Sequence, residues 1–140
     1  MASARKNVSP CHCINIRRAS NLVSSLYDRH LEPVGLTISQ YSLLANLDVL
    51  STASISELAG QVGLDRTTLV RNLNPLMERG LIEDLSHPGQ RSRILKLTQP
   101  GRALLMQGRL LWSEAQRELE EKIGSQNTQF FKTLMEQLQR

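Results

Sequence analysis

The apolar positions between residues 54 and 80 repeat at helical spacing and change face once, at a glycine. Leu58, Ala59 and Val62 lie at i, i+1 and i+4, and Leu69, Leu73, Leu76 and Met77 form a second stripe at i, i+4, i+7 and i+8. Ser54 with Glu57 three residues later has the spacing of a capping box and predicts a helix start. Gly63 supplies the permissive backbone of a tight turn, Asp65 suits the N-cap of the second helix, and Gly80 suits the C′ position that ends it. The pattern therefore predicts two short helices joined by a tight turn. Pro75 falls inside the second, where the missing N–H costs roughly 3 kcal/mol in a regular helix interior, so a bend after Arg71 is expected rather than a break.

From residue 81 the period changes. The segment LIEDLSHPGQRSRILKLT, residues 81–98, reads as strand, turn and strand, with His87, Pro88 and Gly89 in the turn and Ile94, Leu95 and Leu97 on a β-prone run. Arg91, Arg93 and Lys96 put three cations on or near this hairpin, while Glu83 and Asp84 stay at its base. A helix pair followed directly by a basic hairpin is a winged helix-turn-helix. The expected fold class is mainly α with a small β wing, flanked by N- and C-terminal dimerisation helices.

The face that the second helix leaves free carries Arg66, Thr67, Thr68, Arg71, Asn72 and Asn74, a set of donors and short hydroxyls without a carboxylate. Such groups reach phosphates and base edges, which makes this the expected recognition helix for double-stranded DNA. Arg66, Thr67, Thr68, Arg71 and Asn72, with Arg91 and Arg93 of the wing, are the expected DNA-binding residues. A capped helix pair with a polar outer face also occurs in plain helical bundles; the hairpin that follows argues for the winged reading.

The outer segments, on either side of the winged region, carry apolar stripes of their own. Residues 14–31 place Ala19, Leu22, Val23, Leu26, Tyr27 and His30 at helical spacing; residues 101–123 do so with Leu104, Leu105, Leu111, Trp112, Ala115 and Leu119, and residues 126–139 with Phe130, Phe131, Leu134, Met135 and Leu138. These faces exceed what one small winged domain can cover. A homodimer is expected, with two reading heads on successive major grooves of a pseudo-palindromic operator. The alternative is a bundle closed within one chain. The expected organisation is a flexible tail (1–10) and a single domain (11–140), in which 11–32 and 99–140 dimerise and 36–98 is the winged helix-turn-helix.

Composition fits a soluble domain: of 140 residues, 40% are hydrophobic and 21% charged. Apolar runs fall far short of the roughly 20 residues that span a bilayer, and residues 2–10 are too polar for a signal peptide, so a cytoplasmic protein without a membrane partner is expected. The net charge of +4 favours a polyanionic partner, but its distribution is uneven. Residues 54–98 hold six Lys or Arg against five Asp or Glu, whereas residues 1–31 hold five against one. Affinity for DNA must then come from the placement of Arg66, Arg71, Arg91 and Arg93, helped by Arg5 and Lys6 on the tail, rather than from bulk charge.

Three segments carry a resemblance to the MarR family of bacterial transcriptional regulators, which runs from about Cys13 to the C-terminus. They are LDRTTLVRNLNPLMERGLI (64–82), LTQPGRALL (97–105), similar to the family's strand exit into a long helix, and LYDRHLEPVGLTISQYSLL (26–44), similar to its link between the first two helices. The resemblance implies a DNA-binding repressor released by a small effector or by thiol oxidation. The chain departs from the family at Gly89 and Gln90, which stand ahead of Arg91 where members commonly carry an acidic residue that orients a wing arginine.

Cys11, His12 and Cys13 crowd the start of the first helix. A reducing compartment makes a structural disulfide unexpected, and a helix N-terminus favours thiolate, so Cys13 is the better candidate for a peroxide-sensing residue, with Cys11 beside it. The position resembles the reactive cysteine of the OhrR-type organic hydroperoxide sensors of this family. By the same resemblance Tyr27, fourteen residues on, matches one of the tyrosines that bond the thiolate, while Arg17 and Ile38 stand at the other two tyrosine positions. A regulator of this family could instead bind an aromatic effector near Tyr27, His30 and Trp112. For a metal, three adjacent residues need a further ligand, such as His30, to close a site, so no metal or other cofactor is expected. No phosphate loop, G-x-S-x-G elbow, H-E-x-x-H pair or C-x-x-C motif occurs, and no catalytic residue is expected. The remaining alternatives are a thiol enzyme built on Cys13 and a histidine, and a winged-helix module that binds protein instead of DNA.

Overall fold

The computed structural model describes residues 8–140, so Arg5, Lys6 and most of the expected tail lie outside the described residues. The chain runs α1 (His12–Leu31), a 3-10 turn (Glu32–Val34), α2 (Ile38–Leu50), β1 (Thr52–Ala53), α3 (Ile55–Val62), α4 (Arg66–Glu78), β2 (Ile82–Asp84), β3 (Leu95–Leu97), α5 (Gln99–Ile123) and α6 (Ser125–Leu138).

Local chemistry sets these limits. The Ser54 hydroxyl accepts the Glu57 N–H at 3.1 Å, but only this half of the expected capping box forms. A complete box starts α2 instead: Thr37 Oγ1 accepts the Gln40 N–H at 3.2 Å, and Gln40 Oε1 accepts the Thr37 N–H at 3.0 Å. At the end of α4, Gly80 (φ 71°) donates to Met77 O at 3.0 Å and Leu81 donates to Leu76 O at 2.9 Å. Those paired bonds require the left-handed backbone that glycine adopts without strain. Between these ends α4 runs unbroken through Pro75, and the ladder resumes where Arg79 N–H donates to Pro75 O at 3.1 Å.

The sheet has the order β1-β3-β2 and is antiparallel throughout, with Ala53 opposite Leu95, and Ile82 opposite Leu97. Its third strand, β1, was not expected. The hairpin strands are also shorter than their β-prone side chains suggested: Ile94 lies outside the ladder, and residues 85–94 form a long wing loop.

One core unites these elements. Leu43, Leu44 and Leu47 of α2, Leu58 of α3, Leu69, Leu73 and Leu76 of α4, and Leu95 of β3 are completely buried, with Leu105 of α5 almost so. At the root of α5, Thr98 accepts the Gly101 N–H at 3.1 Å, and Gly101 lies so close to the preceding turn that a Cβ there would stand 2.0 Å from Leu81 O. A smaller cluster of Leu26, Tyr27 and Ala115 joins α1 to the far part of α5. Helix α6 buries no residue within the protomer, and Phe130 and Phe131 are 60% and 55% exposed. A closed single-chain bundle would have buried them.

Candidate nucleic-acid interface

The N-terminus of α4 is fixed by Asp65, whose Oδ1 accepts the Thr68 N–H at 2.8 Å and whose Oδ2 accepts the Thr68 hydroxyl at 2.9 Å. These bonds, the backbone one first, hold the Asp65 carboxyl below the usual carboxylate range. Leu69, Leu73 and Leu76 anchor the helix from below. At about 100° per residue, Thr67, Arg71 and Asn74 fall on one line opposite those leucines. All three are exposed, as is Arg66, which precedes Thr67 in the first turn.

Thr68 and Asn72 are placed differently from the rest of the predicted set. Both are half-buried on the flank of the helix; the Thr68 hydroxyl is taken by Asp65, and the Asn72 amide donates to Thr68 O at 3.1 Å. The helix itself engages the Thr68 hydroxyl and one amide N–H of Asn72. Asn74, polar and three residues beyond Arg71, shares the outward line instead.

In the wing, Arg91 and Arg93 are both exposed. Asp84, the last residue of β2, organises the loop between them and the sheet. Its Oδ1 accepts the Ser86 N–H at 2.9 Å, the Ser86 hydroxyl at 2.6 Å and the Ile94 N–H at 3.3 Å, and its Oδ2 lies 3.8 Å from Arg93 Nε. The Ser86 hydroxyl above all, then the backbone bonds and Arg93, hold the Asp84 carboxyl below its usual range. Asp84 thus reaches the second wing arginine, Arg93, from the base of the hairpin. The D-x-S spacing of Asp84 and Ser86, typical of a side chain capping its own turn, was the available signal. Among the described residues, Arg66, Arg71 and Arg91 form no ion pair.

The predicted sensing residues are spread apart. Cys11 and Cys13 are free and exposed at the start of α1. Tyr27 lies on the same helix, about 21 Å further along at 1.5 Å per residue. It is buried against α5, and its hydroxyl donates to Gln116 Oε1. One protomer therefore does not bring Tyr27 to Cys13. His30 faces α5, with Nε2 3.1 Å from Glu118 Oε2 and Nδ1 3.9 Å from Glu114 Oε2. Trp112 stacks on Tyr41, ring centroids 6.2 Å apart. Tyr27 and Trp112 pack in the seam between α1 and α5. Two open surface hollows, of about 330 and 360 Å³, lie elsewhere: one beside Asp28 and Leu36, the other between α5 and α6. No three His, Cys, Asp or Glu residues among those described are grouped to hold a metal ion.

Comparison with known proteins places this geometry. A family model described as MarR family matches residues 36–91. The transcriptional regulator MosR of M. tuberculosis, solved in complex with DNA, is 33% identical over 91% of this chain and 95% of its own, with a TM-score of 0.78. The transcriptional repressor CouR, bound to a 23-mer DNA duplex, is 30% identical over 93% of each chain, with a TM-score of 0.81. A mutant MarR from E. coli, complexed with operator DNA, shares the fold at 23% identity, covering 88% of this chain and 89% of that one, with a TM-score of 0.78.

Proposed function

The chain belongs to the MarR family, and from that premise we propose that it is a repressor that binds a pseudo-palindromic operator in double-stranded DNA as a homodimer. It is a DNA-binding regulator of transcription. The observation that carries the assignment of the reading surface is the outward line of Thr67, Arg71 and Asn74, flanked by Arg66 and backed by buried leucines. These donors stand free for base edges and phosphates. Arg91 and Arg93 extend the surface to the wing, and Thr68 and Asn72 support it by stiffening the first turns of α4. The exposed apolar side chains of α6, with Ile16 and Leu22 of α1, supply the dimer surface. Residues 11–32 and 99–140 are then the dimerisation arms and 36–98 the reading head.

Among the described residues no helix is long and apolar enough to cross a membrane, and the compartment proposed is the cytoplasm. No catalytic residue is proposed. For the release signal, Cys13 with Cys11 offers an exposed thiol pair on a dimerisation helix. The second trigger is a small aromatic effector that opens the seam at Tyr27, His30 and Trp112, which is packed in this state.

Replacing Arg71 with Ala tests the central reading: operator binding is lost while the dimer persists. Unchanged binding would reject α4 as the reading helix. A gel shift with the upstream DNA of its own gene, run reduced, with cumene hydroperoxide, and as Cys13→Ser, tests the trigger. Peroxide release that survives Cys13→Ser rejects the thiol sensor.

A further inference from the structure

Arg79 closes α4 at the end opposite to Arg66, and its side chain does not point along the reading line. Its Nη1 donates to Gly35 O at 2.7 Å and its Nη2 donates to Val34 O at 3.2 Å. A guanidinium thus straddles two successive carbonyls of the turn that connects α1 to α2. Fork geometry of this kind is specific to arginine; an ammonium cannot span both acceptors from one fixed plane. Gly35 has φ 66°, and a Cβ there would stand 3.4 Å from Arg79 Nη2, so the turn leaves the fork room to seat.

The same turn is held from the other side. Asp28, on α1, accepts the Ile38 N–H with Oδ1 at 2.7 Å and so fixes the first residue of α2 to the dimerisation helix. Residues 32–37 therefore lie between a tie to α1 and a tie to α4. Helix α4 otherwise packs on α2, α3 and β2.

We propose that Arg79 is a positioning residue for DNA recognition: its two-pronged bond to Val34 O and Gly35 O sets the angle of the recognition helix relative to the dimerisation helix. This rests on the reading that α4 binds DNA. Arg79 has no ion-pair partner among the described residues and is exposed, so charge counting alone would assign it to a phosphate. The two roles predict opposite results for a lysine.

The experiment measures affinity by fluorescence anisotropy for wild type, Arg79→Lys, Arg79→Met and Arg71→Ala across a salt series. The probes are an operator duplex selected in vitro with the wild-type dimer, and the same duplex with its half-sites moved apart by one base pair. Circular dichroism at the binding temperature confirms that each variant is folded. The expected result is that Arg79→Lys and Arg79→Met both lose about tenfold on the operator, the scale of a lost charge-assisted hydrogen bond. The salt slope should stay at the wild-type value, and discrimination against the shifted duplex should shrink. The proposal is overturned if Arg79→Lys binds like wild type while Arg79→Met loses affinity and about 0.9 of salt slope, the mark of one phosphate contact. It is equally overturned if spacing discrimination is unchanged in both. Should Arg79→Met not fold, Arg79→Lys alone decides by its spacing discrimination. If Arg71→Ala also binds normally, the failure lies with the assignment of α4 and not with Arg79 alone.

Discussion

Asp84 and Arg93 meet at 3.8 Å across the base of the wing, and the same carboxylate holds Ser86 and Ile94 with its other oxygen. One side chain folds the loop and aims its cation. Asp84→Asn keeps an acceptor for the loop but removes the charge, whereas Asp84→Ala removes both. Operator affinity should fall modestly in the first and further in the second. Because the pair is partly solvated, a double-mutant cycle with Arg93→Ala should give a coupling of about 0.2–1 kcal/mol. Additive effects would show that Asp84 does not direct Arg93.

The outward and flanking polar residues of α4 should separate under alanine substitution. Arg71→Ala should cost about 1–3 kcal/mol of operator binding if it makes a base-edge contact. Asn72→Ala should change binding far less, because its amide already bonds Thr68 O. Anisotropy titrations of the two variants side by side test the contrast.

Stability should respond to pH at both extremes. Asp65 and Asp84 are held below the ordinary value of 3.8, so their contribution is present above that value and is lost as pH falls through the lower folded value. Burial raises Tyr27 and Tyr41 above the ordinary 10.0; for Tyr27 the Glu120 charge adds to this, while Arg109 opposes it at Tyr41. Their contribution is complete below pH 10.0 and is lost as pH climbs through the raised values. Thermal melts followed by circular dichroism should show a flatter alkaline limb in Tyr27→Phe than in wild type.

Two glycine-to-alanine changes should have opposite signs. Gly101→Ala places a methyl 2.0 Å from Leu81 O, and overpacking of this kind costs about 1–3 kcal/mol, outweighing the helix preference of alanine. Gly60 is inside α3 with open space around its would-be Cβ, so Gly60→Ala should stabilise by roughly 0.5–1 kcal/mol. Denaturant midpoints check both.

The exposed apolar residues of α6 should govern assembly. Phe131→Asp puts a charge into the proposed dimer surface and should shift sedimentation toward a monomer, with a parallel loss of operator binding. A dimer that persists would move the interface off α6.

The helix pair was legible because several independent local signals agree there: the Ser54 and Asp65 caps, the two apolar stripes, and the glycines at positions 63 and 80. Strand β1 was not, since two residues carry no period. Ile94 looked like a strand residue by its side chain, and its carbonyl does accept the Leu85 N–H at 2.7 Å, but its own N–H turns to Asp84 Oδ1 instead of the neighbouring strand. The polar face of α4 was readable as a set, but the difference between Arg71 and Asn72 is one of angle and of bonds turned back on the helix. Arg79 was hidden for another reason: its acceptors are backbone carbonyls forty-four and forty-five residues upstream, which no side-chain pattern announces.

Helix α5 leaves the reading head at Gly101, wedged on Leu81, and meets α1 at Ala115 without interruption. Its 25 residues make a strut of about 37 Å at 1.5 Å per residue. Such a strut offers no compliant joint at its root. A disturbance at the dimer end reaches the wing as rigid tilt, and about 5° of it would sweep the far end by about 3 Å, comparable with one base-pair step.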